Sequence, residues 1–332
     1  MGGLAMGPGN GTGVSEFVLL GLASRPATRR LLFPLFLGAY LATLLGNLLV
    51  SLLIRRDPRL RRAPMYFFLA HLSLADVGFT SAAAPTALGT LAFGSWAVPY
   101  AACLAQNYVF IAFGVLENFL LAVMAYDRYL AVCRPLRYTA VMSPGRRWGL
   151  VGISWGLAQL HALLHTLLLA RLPFPARPHL RHFFCDLRQL LPLLRLSCSP
   201  TRVNEAAIFF EGGLVILGPF LFIAASYARI GRAVLQRPAS ERRRALSTCS
   251  SHLTMVALFY GAIVGVYFQP GTSYSAPRGA VFSVMYTVVT PAANPFVYSL
   301  RNKDVQGALR RLMGRGRFLP EAFGLIQATS SL

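Results

Sequence analysis

Seven apolar stretches, each long enough to cross a lipid bilayer, constrain the fold of this chain more than any other feature. A membrane-spanning helix needs about 20 mostly apolar residues, and stretches of that kind occupy residues 31–54, 65–88, 102–126, 147–170, 205–228, 246–268 and 280–300. Only 13% of the 332 residues are charged, about half the share found in soluble domains. The sequence therefore predicts an all-α membrane protein, a bundle of seven transmembrane helices.

The segments outside this bundle are short. We expect an N-terminal tail over residues 1–30, the helical bundle over 31–300 and a C-terminal tail over 301–332. In the C-terminal tail, Val305, Leu309, Leu312 and Met313 recur at helical spacing among arginines. That pattern predicts an amphipathic helix over about residues 302–313 that lies on the membrane surface and contacts lipid.

The distribution of Lys and Arg predicts the orientation in the membrane. The connections after the first, third and fifth spans, together with the C-terminal tail, hold 21 of the 32 basic residues. Cytoplasmic segments carry such an excess, so we expect a multi-pass plasma-membrane protein with its N-terminus outside, where the sequon Asn10-Gly11-Thr12 would place a glycan on Asn10. The net charge of +21 does not indicate nucleic acid binding, because the arginines lie at span ends beside lipid headgroups.

Two carboxylates lie inside the predicted bilayer, where an ionisable group is costly unless it is paired or hydrated. Counted along the helices, Asp76 lies about 18 Å and Glu117 about 16 Å from the cytosolic side, and Asn47 and Asn294 can reach the same level. Two neighbouring carboxylates share a proton or bind a cation. The cluster is either a sodium- or water-filled site or a structural hydrogen-bond network.

Asp127, Arg128 and Tyr129 follow one another at the cytosolic end of the third span. An arginine there can simply extend to the lipid headgroups. Alternatively, Asp127 and Arg128 can form a local ion pair that breaks and reforms, which is what a conformational switch requires. Spacing alone leaves both interpretations open.

Several ordered motifs together resemble one receptor family. They are "GN" (46–47), "PMYFFLAHLSLAD" (64–76), "MAYDRYLAVCRPLRY" (124–138), "SY" (226–227), "RRALSTCSSHL" (243–253) and "PAANPFVYSLRN" (291–302). In this order and at these separations they resemble the olfactory receptors, of the tetrapod-type branch, which are rhodopsin-like seven-helix receptors coupled to heterotrimeric G proteins. The resemblance implies a non-enzymatic odorant receptor that binds small, mostly apolar volatile ligands and activates a stimulatory G protein, which raises cyclic AMP.

The resemblance also assigns roles to individual residues. It implies a disulfide between Cys103 and Cys185, whereas Cys198 lacks its usual partner because Pro175 stands where the family has a cysteine. Tyr260 matches the family's trigger position on the sixth helix, below the pocket. The residues that match the family's activation switch are Asp127, Arg128, Tyr129, Tyr227, Asn294, Pro295 and Tyr298.

The implied ligand pocket lies in the outer half, between the third, fifth, sixth and seventh spans. Its lining would be mostly apolar with a few polar groups, as small ligands require, although each residue could equally serve in ordinary helix packing. The expected pocket residues, Tyr260 included, are Gln106, Phe110, Ile111, Gly114, Val115, Asn118, Glu211, Val215, Tyr260, Ile263, Val264, Tyr267 and Thr287.

Two features go beyond the family pattern. Glu211 is an acid in the outer half of the fifth span, and it would receive a basic ligand, pair with a nearby polar group or face water. His161 and His165 stand four apart on the fourth span, a spacing that can chelate a metal, but we expect no metal site and no cofactor other than a bound sodium ion.

One alternative function belongs to a different class. An ion-coupled transporter or channel would use Asp76 and Glu117 as its ion path, and it predicts repeated halves and unwound half-helices. The sequence contains neither a repeat nor an inverted pair of halves, and it lacks a catalytic triad, a phosphate-binding glycine loop and a metal-binding cysteine cluster.

Overall fold

The computed structural model describes residues 15–174, 178–187, 190–191, 201–267, 281–300 and 302–315. Within them the helices are α1 (Pro26–Arg56), α2 (Pro58–Arg62), α3 (Pro64–Phe93), α4 (Tyr100–Cys133), α5 (Pro135–Val141), α6 (Pro144–Ala170), α7 (Arg202–Ala207), α8 (Gly213–Leu235), α9 (Ala239–Tyr267), α10 (Thr290–Leu300) and α11 (Lys303–Arg315). Two π-helical turns, Ile208–Gly212 and Met285–Val289, lie within the fifth and seventh spans.

Proline sets the start of five of these helices. Pro26, Pro58, Pro64, Pro135 and Pro144 each stand at a helix start. A proline is favoured there because the first turn has no intrahelical acceptor for its missing N–H, and because its fixed φ already suits the helix. The chain therefore turns sharply between spans.

Six helices in the described residues are long and apolar enough to cross a membrane: α1, α3, α4, α6, the continuous run from α7 to α8, and α9. The predicted seventh span is helical over 281–300, including its π turn. α4 is the central helix and packs against α3, α6, α8 and α9. Large apolar side chains cover the outside of the bundle, for example Leu160 on α6 and Leu214 on α8, as expected of a surface that faces lipid.

A small β-sheet covers the end of the bundle that the sequence predicts to be extracellular, here called the outer end. β1 (Glu16–Leu19) pairs antiparallel with β2 (Trp96–Pro99) and parallel with β3 (His179–Leu180). The inward residues Phe17 and Leu19 are fully buried beside Cys103 and Cys185. The all-α prediction did not include this sheet.

Contacts at the opposite, inner end attach α11 to the bundle. The Tyr66 hydroxyl donates to Asn302 and to Asp304, and the Arg311 guanidinium binds Asp57 at 2.7 Å. Burial opposes ionisation of Asp57, but the Arg311 guanidinium and the backbone N–H groups that the carboxylate caps outweigh it and lower the pKa of Asp57. α11 is thus held by side chains as well as by its apolar face, on which Val305 is buried.

Candidate ligand pocket and switch

A buried polar cluster occupies the middle of the bundle at the level predicted from residue counting. The Asn294 amide donates to both carboxylate oxygens of Asp76 at 2.7 Å, and the carboxyl groups of Asp76 and Glu117 lie close enough to interact with each other. Both acids are almost completely buried, so two adjacent carboxyl groups must share a proton or be balanced by a cation. Among the described residues, Glu117 Oε1 and Asn294 Oδ1 have no hydrogen-bond partner, which leaves acceptors for a water or an ion.

Asn47 joins the first and seventh spans beside this cluster. Its amide donates to the Pro291 carbonyl at 3.2 Å and to the Thr43 carbonyl at 3.1 Å. The preceding residue, Gly46, packs so closely on Pro295 that an added Cβ would lie 2.7 Å from the proline Cγ. The absence of a side chain at Gly46 therefore permits the helix contact that Asn47 bridges.

An ion pair closes the inner end of α4. Arg128 Nη2 lies 2.8 Å from Asp127 Oδ2, and the other oxygen of this carboxylate accepts a 2.9 Å hydrogen bond from the Tyr138 hydroxyl on α5. The arginine does not extend to the membrane surface, since its side chain is only 10% exposed. Asp127, Arg128 and Tyr138 are here called the inner latch.

The tyrosines that match the family switch surround the inner latch. The Tyr227 hydroxyl lies 2.9 Å from His252 Nδ1, and the other ring nitrogen of His252 contacts the Leu121 carbonyl at 3.1 Å. Tyr298 is buried, and its hydroxyl has no partner within the described part of the chain. Sequence reasoning missed the roles of Tyr138 and His252, although both lie in motifs that carry the resemblance, because a motif does not reveal hydrogen-bond partners on other helices.

A basic cleft of about 450 Å³ opens between the inner ends of α4 and α8. It is open to the cytosolic side predicted by the sequence, and three arginines give it a positive charge. Its lining consists of Tyr129, Cys133, Arg134, Arg229, Arg232, Ala233 and Gln236.

Aromatic rings fill the upper part of the predicted pocket. Phe110 packs against Phe79, Phe184 and Tyr286 at centroid separations of 4.5, 4.7 and 6.0 Å. Gly114, one turn below, lies against the same group, since an added Cβ would meet the Tyr286 hydroxyl oxygen at 2.8 Å. Rings must therefore rotate for a ligand to enter here.

A three-helix hydrogen-bond node lies below these rings. The Asn118 amide on α4 donates to the Val215 carbonyl on α8 at 2.8 Å, and its carbonyl oxygen accepts from the Tyr260 hydroxyl on α9. Tyr260 also packs on Phe220 and Phe259. Ile263, one turn above Tyr260, is buried in the same core, and Val115 packs against that core, while Ile111 is partly exposed.

Some expected pocket residues lie elsewhere. Gln106 donates to the Ala82 carbonyl and accepts from the Cys185 N–H, so it joins α4 to α3 and to the outer loop. Thr287 lines a cavity of about 10 Å³ between the first, second and seventh spans, at the lower limit for one water.

Val264 is a correction to the expected pocket. It is 55% exposed and continues a lipid-facing stripe with Leu253, Ala257 and Gly261. Tyr260 and Ile263 on the same helix are buried in the core, so the correction concerns Val264 alone among the α9 positions whose side chains are described. For Tyr267, only the backbone lies within the described residues.

Glu211 also turns away from the expected pocket. Its carboxylate contacts His161 Nδ1 at 2.7 Å and His165 Nε2 at 2.9 Å on α6. Of the three alternatives for Glu211 (a basic ligand, a nearby polar group or water), the structure therefore shows pairing with nearby polar groups.

The disulfide implied by the resemblance is present. Cys103, at the start of α4, is bonded to Cys185, and their Cα atoms are 5.5 Å apart. This bond holds the outer loop over Phe110, because Phe184, which packs on Phe110, immediately precedes Cys185. Asn10, Pro175 and Cys198 lie outside the described residues.

Comparisons with known proteins agree with this arrangement. The family model described as "Olfactory receptor" matches residues 36–315. Olfactory receptor 1E5 of Pan troglodytes is 51% identical over 92% of this chain and 96% of its own length; olfactory receptor 1E1 of Homo sapiens is 50% identical with the same coverage. The crystal structure of squid rhodopsin matches with a TM-score of 0.69 at 18% identity, covering 90% of this chain and 85% of that one, which shows a shared fold. The transporter or channel alternative finds no support in these comparisons, and the chain belongs to the olfactory receptor family of G-protein-coupled receptors.

Proposed function

We propose that this receptor binds a small, mostly apolar volatile odorant beneath the outer loop and activates a stimulatory heterotrimeric G protein, raising cyclic AMP. The Asn118 node carries this proposal. It joins α4, α8 and α9 below the aromatic rings, and α4 continues from it to the inner latch. A ligand that separates Tyr260 from Asn118 would free α9 to move relative to α4.

The ligand class follows from the lining. Phe110, Gly114 and Ile263 offer apolar surface, and the Asn118–Tyr260 pair offers one donor and one acceptor within it. Apolar walls with few polar groups suit a small ligand that carries a single oxygen or nitrogen function.

The basic cleft at the inner ends of α4 and α8 is the proposed docking site of the G protein. In the structure the inner latch is closed, which means that Arg128 is bound to Asp127. Outward movement of α9 would release Arg128 and widen the cleft for a G-protein helix, so ligand binding shifts a population between two states.

The proposed orientation places the N-terminus outside the plasma membrane and the C-terminus in the cytosol, as the basic residues indicate. Leu312 and Met313 on α11 are exposed, and we assign them to the headgroup region of the inner leaflet, where an amphipathic helix buries its apolar side chains.

The test is an odorant-panel screen in cells that express the receptor with a cyclic-AMP reporter. We expect at least one odorant to raise cyclic AMP, and we expect Arg128→Ala to abolish the response at unchanged surface display. Arg25→Ala, an exposed arginine at the outer end, is the matched control. A response that survives Arg128→Ala, or a ligand-gated current without G protein, contradicts the proposal.

The pocket assignment has its own test. Asn118→Leu should weaken the response to the active odorant by roughly tenfold, because the ligand loses a hydrogen-bond partner worth about 1–1.5 kcal/mol. Val264→Ala, on the lipid-facing stripe of α9, should leave the response unchanged.

The buried Asp76–Glu117–Asn294 cluster is the proposed site of a sodium ion. Its support is the pair of adjacent buried carboxyl groups and the free acceptor oxygens beside them. Purified receptor should melt at a higher temperature in sodium chloride than in an organic-cation chloride of equal ionic strength, and Asp76→Asn should abolish the difference. Equal melting temperatures for the native receptor would favour a purely structural network.

A further inference from the structure

Two histidines and a glutamate from different spans converge near the outer end of the bundle. His161 and His165 on α6 each contact a different oxygen of Glu211, at 2.7 and 2.9 Å. One ligand atom from each of the three residues lies within 4.8 Å of the other two. The sequence showed only the histidine spacing, and Glu211 supplies a third group from a distant part of the chain.

The separations suit a small metal ion. Donors that bind a metal at about 2.0–2.2 Å in a tetrahedron stand about 3.3 Å apart. The two histidine–glutamate contacts would have to lengthen by only roughly half an ångström to reach that value. The ligand nitrogens of the two histidines, which lie within 4.8 Å of each other, would have to approach. His161 and Glu211 are the side chains that can move, because they are 10% and 35% exposed whereas His165 is buried.

The backbone holds the three groups in place. His161 and His165 are one helical turn apart, so their rings lie on the same face of α6, with centroids 4.5 Å apart. Glu211 stands in the π-helical turn Ile208–Gly212, whose extra residue rotates the side chains that follow. Such turns occur frequently at functional sites, and this one directs Glu211 toward α6.

The surroundings leave one side of the cluster open. His165 is 3% exposed, whereas the Glu211 side chain is 35% exposed. His165 lies five residues before the end of α6 at Ala170, about 7.5 Å of helix, so an ion can arrive from the outer aqueous side. The neighbouring Phe210 and Leu214 are exposed apolar residues, and a carboxylate beside such a surface needs a cationic or hydrogen-bonding partner.

We propose that His161, His165 and Glu211 bind one divalent transition-metal ion, which cross-links the fourth and fifth spans and keeps a fourth coordination position open. Two imidazole nitrogens and one carboxylate oxygen suit Zn²⁺ or Cu²⁺ and form a donor set that zinc sites use. They do not suit Ca²⁺ or Mg²⁺, which take oxygen ligands. Binding requires the ring tautomers in which His161 Nδ1 and His165 Nε2 carry no proton.

The test is a titration of Zn²⁺ into receptor purified without a histidine tag, stripped with a chelator and held in lipid nanodiscs. Calorimetry at pH 7.5 should show that each receptor binds one Zn²⁺ ion tightly. His161→Gln, His165→Gln and Glu211→Gln should each weaken binding by more than about 100-fold, beyond the loss caused by removing an outer-shell partner. His179→Gln, an exposed histidine on β3, is the matched control and should bind Zn²⁺ as the native receptor does.

Glu211→Gln also separates metal binding from folding. The carboxamide has the same length and can still hydrogen-bond to both histidines, but it is a poor metal ligand. Its melting temperature in chelator should match that of the native receptor, and only the native receptor and His179→Gln should melt higher when Zn²⁺ is added. Two results would overturn the proposal in favour of a metal-free hydrogen-bonded cluster. One is that the native receptor does not bind Zn²⁺ tightly; the other is that a variant combining His161→Gln, His165→Gln and Glu211→Gln still does.

Discussion

Replacing Tyr138 by phenylalanine removes one hydroxyl group from the inner latch and leaves the ring in place. The hydroxyl donates a 2.9 Å hydrogen bond to Asp127 Oδ1, while Arg128 keeps its own 2.8 Å contact with the other oxygen. A hydrogen bond to a charged group contributes about 1.5–3 kcal/mol, and the partial burial of this pair places the loss near the lower value. If the bond exists only in the closed state, its loss shifts the closed-to-open equilibrium about tenfold toward the open state.

The assay is ligand-free nucleotide exchange on a purified heterotrimeric G protein, with the receptor in nanodiscs at matched amounts. Tyr138→Phe should raise this basal rate roughly tenfold as long as the open state remains a minor population. Tyr40→Phe is the control, because it removes a hydroxyl that contacts Ser81 at 3.2 Å in the outer half. An unchanged basal rate in Tyr138→Phe would refute the assignment of this bond to the closed state.

Three further variants test the outer loop and the helix contacts by thermal unfolding in nanodiscs. Burial lowers the pKa of His182 to about 4, so the neutral ring is favoured in the folded state. The free energy of unfolding should therefore fall by up to about 3 kcal/mol as the pH drops from 6.5 toward 4. His182→Gln should not show this loss. Gly46→Ala should cost about 1–3 kcal/mol by overpacking against Pro295, whereas Gly38→Ala, which meets open space on the same helix, should not destabilise the protein. Cys185→Ser should cost about 2–5 kcal/mol and reduce surface display, and equal stability would contradict a structural role of the disulfide.

The parts of the fold that depend on length and hydropathy were predictable. Each span needs about 20 apolar residues, and that requirement located all the helices of the bundle to within several residues. The shared level of Asp76 and Glu117 followed from the rise per residue alone, and in the structure their carboxyl groups lie close enough to interact with each other. Both predictions depend on helical geometry, which is the same in every protein.

Other features depend on local geometry that the sequence does not reveal. The strands of the outer sheet are two to four residues long, too short for an alternating pattern to be recognised. The π turn that aims Glu211 at α6 has no sequence signature, and the rotation of α9 that exposes Val264 depends on packing against its neighbours. Tyr138 could not be assigned to the latch because α5 had not been predicted as a helix.

The central claim is that ligand binding near Asn118 opens the inner end of the receptor. Its most direct test is the distance between spin labels near the inner ends of α5 and α9, attached through Leu136→Cys and Glu241→Cys, both at exposed positions, in a background in which Cys133, Cys198 and Cys249 are replaced by serine. An active odorant should produce a longer-distance population that is absent from the native receptor without ligand, and Asn118→Leu, which lacks the bond to Tyr260, should show part of that population without ligand. An unchanged distance distribution, in a receptor whose G-protein activation still responds to that odorant, would contradict the account.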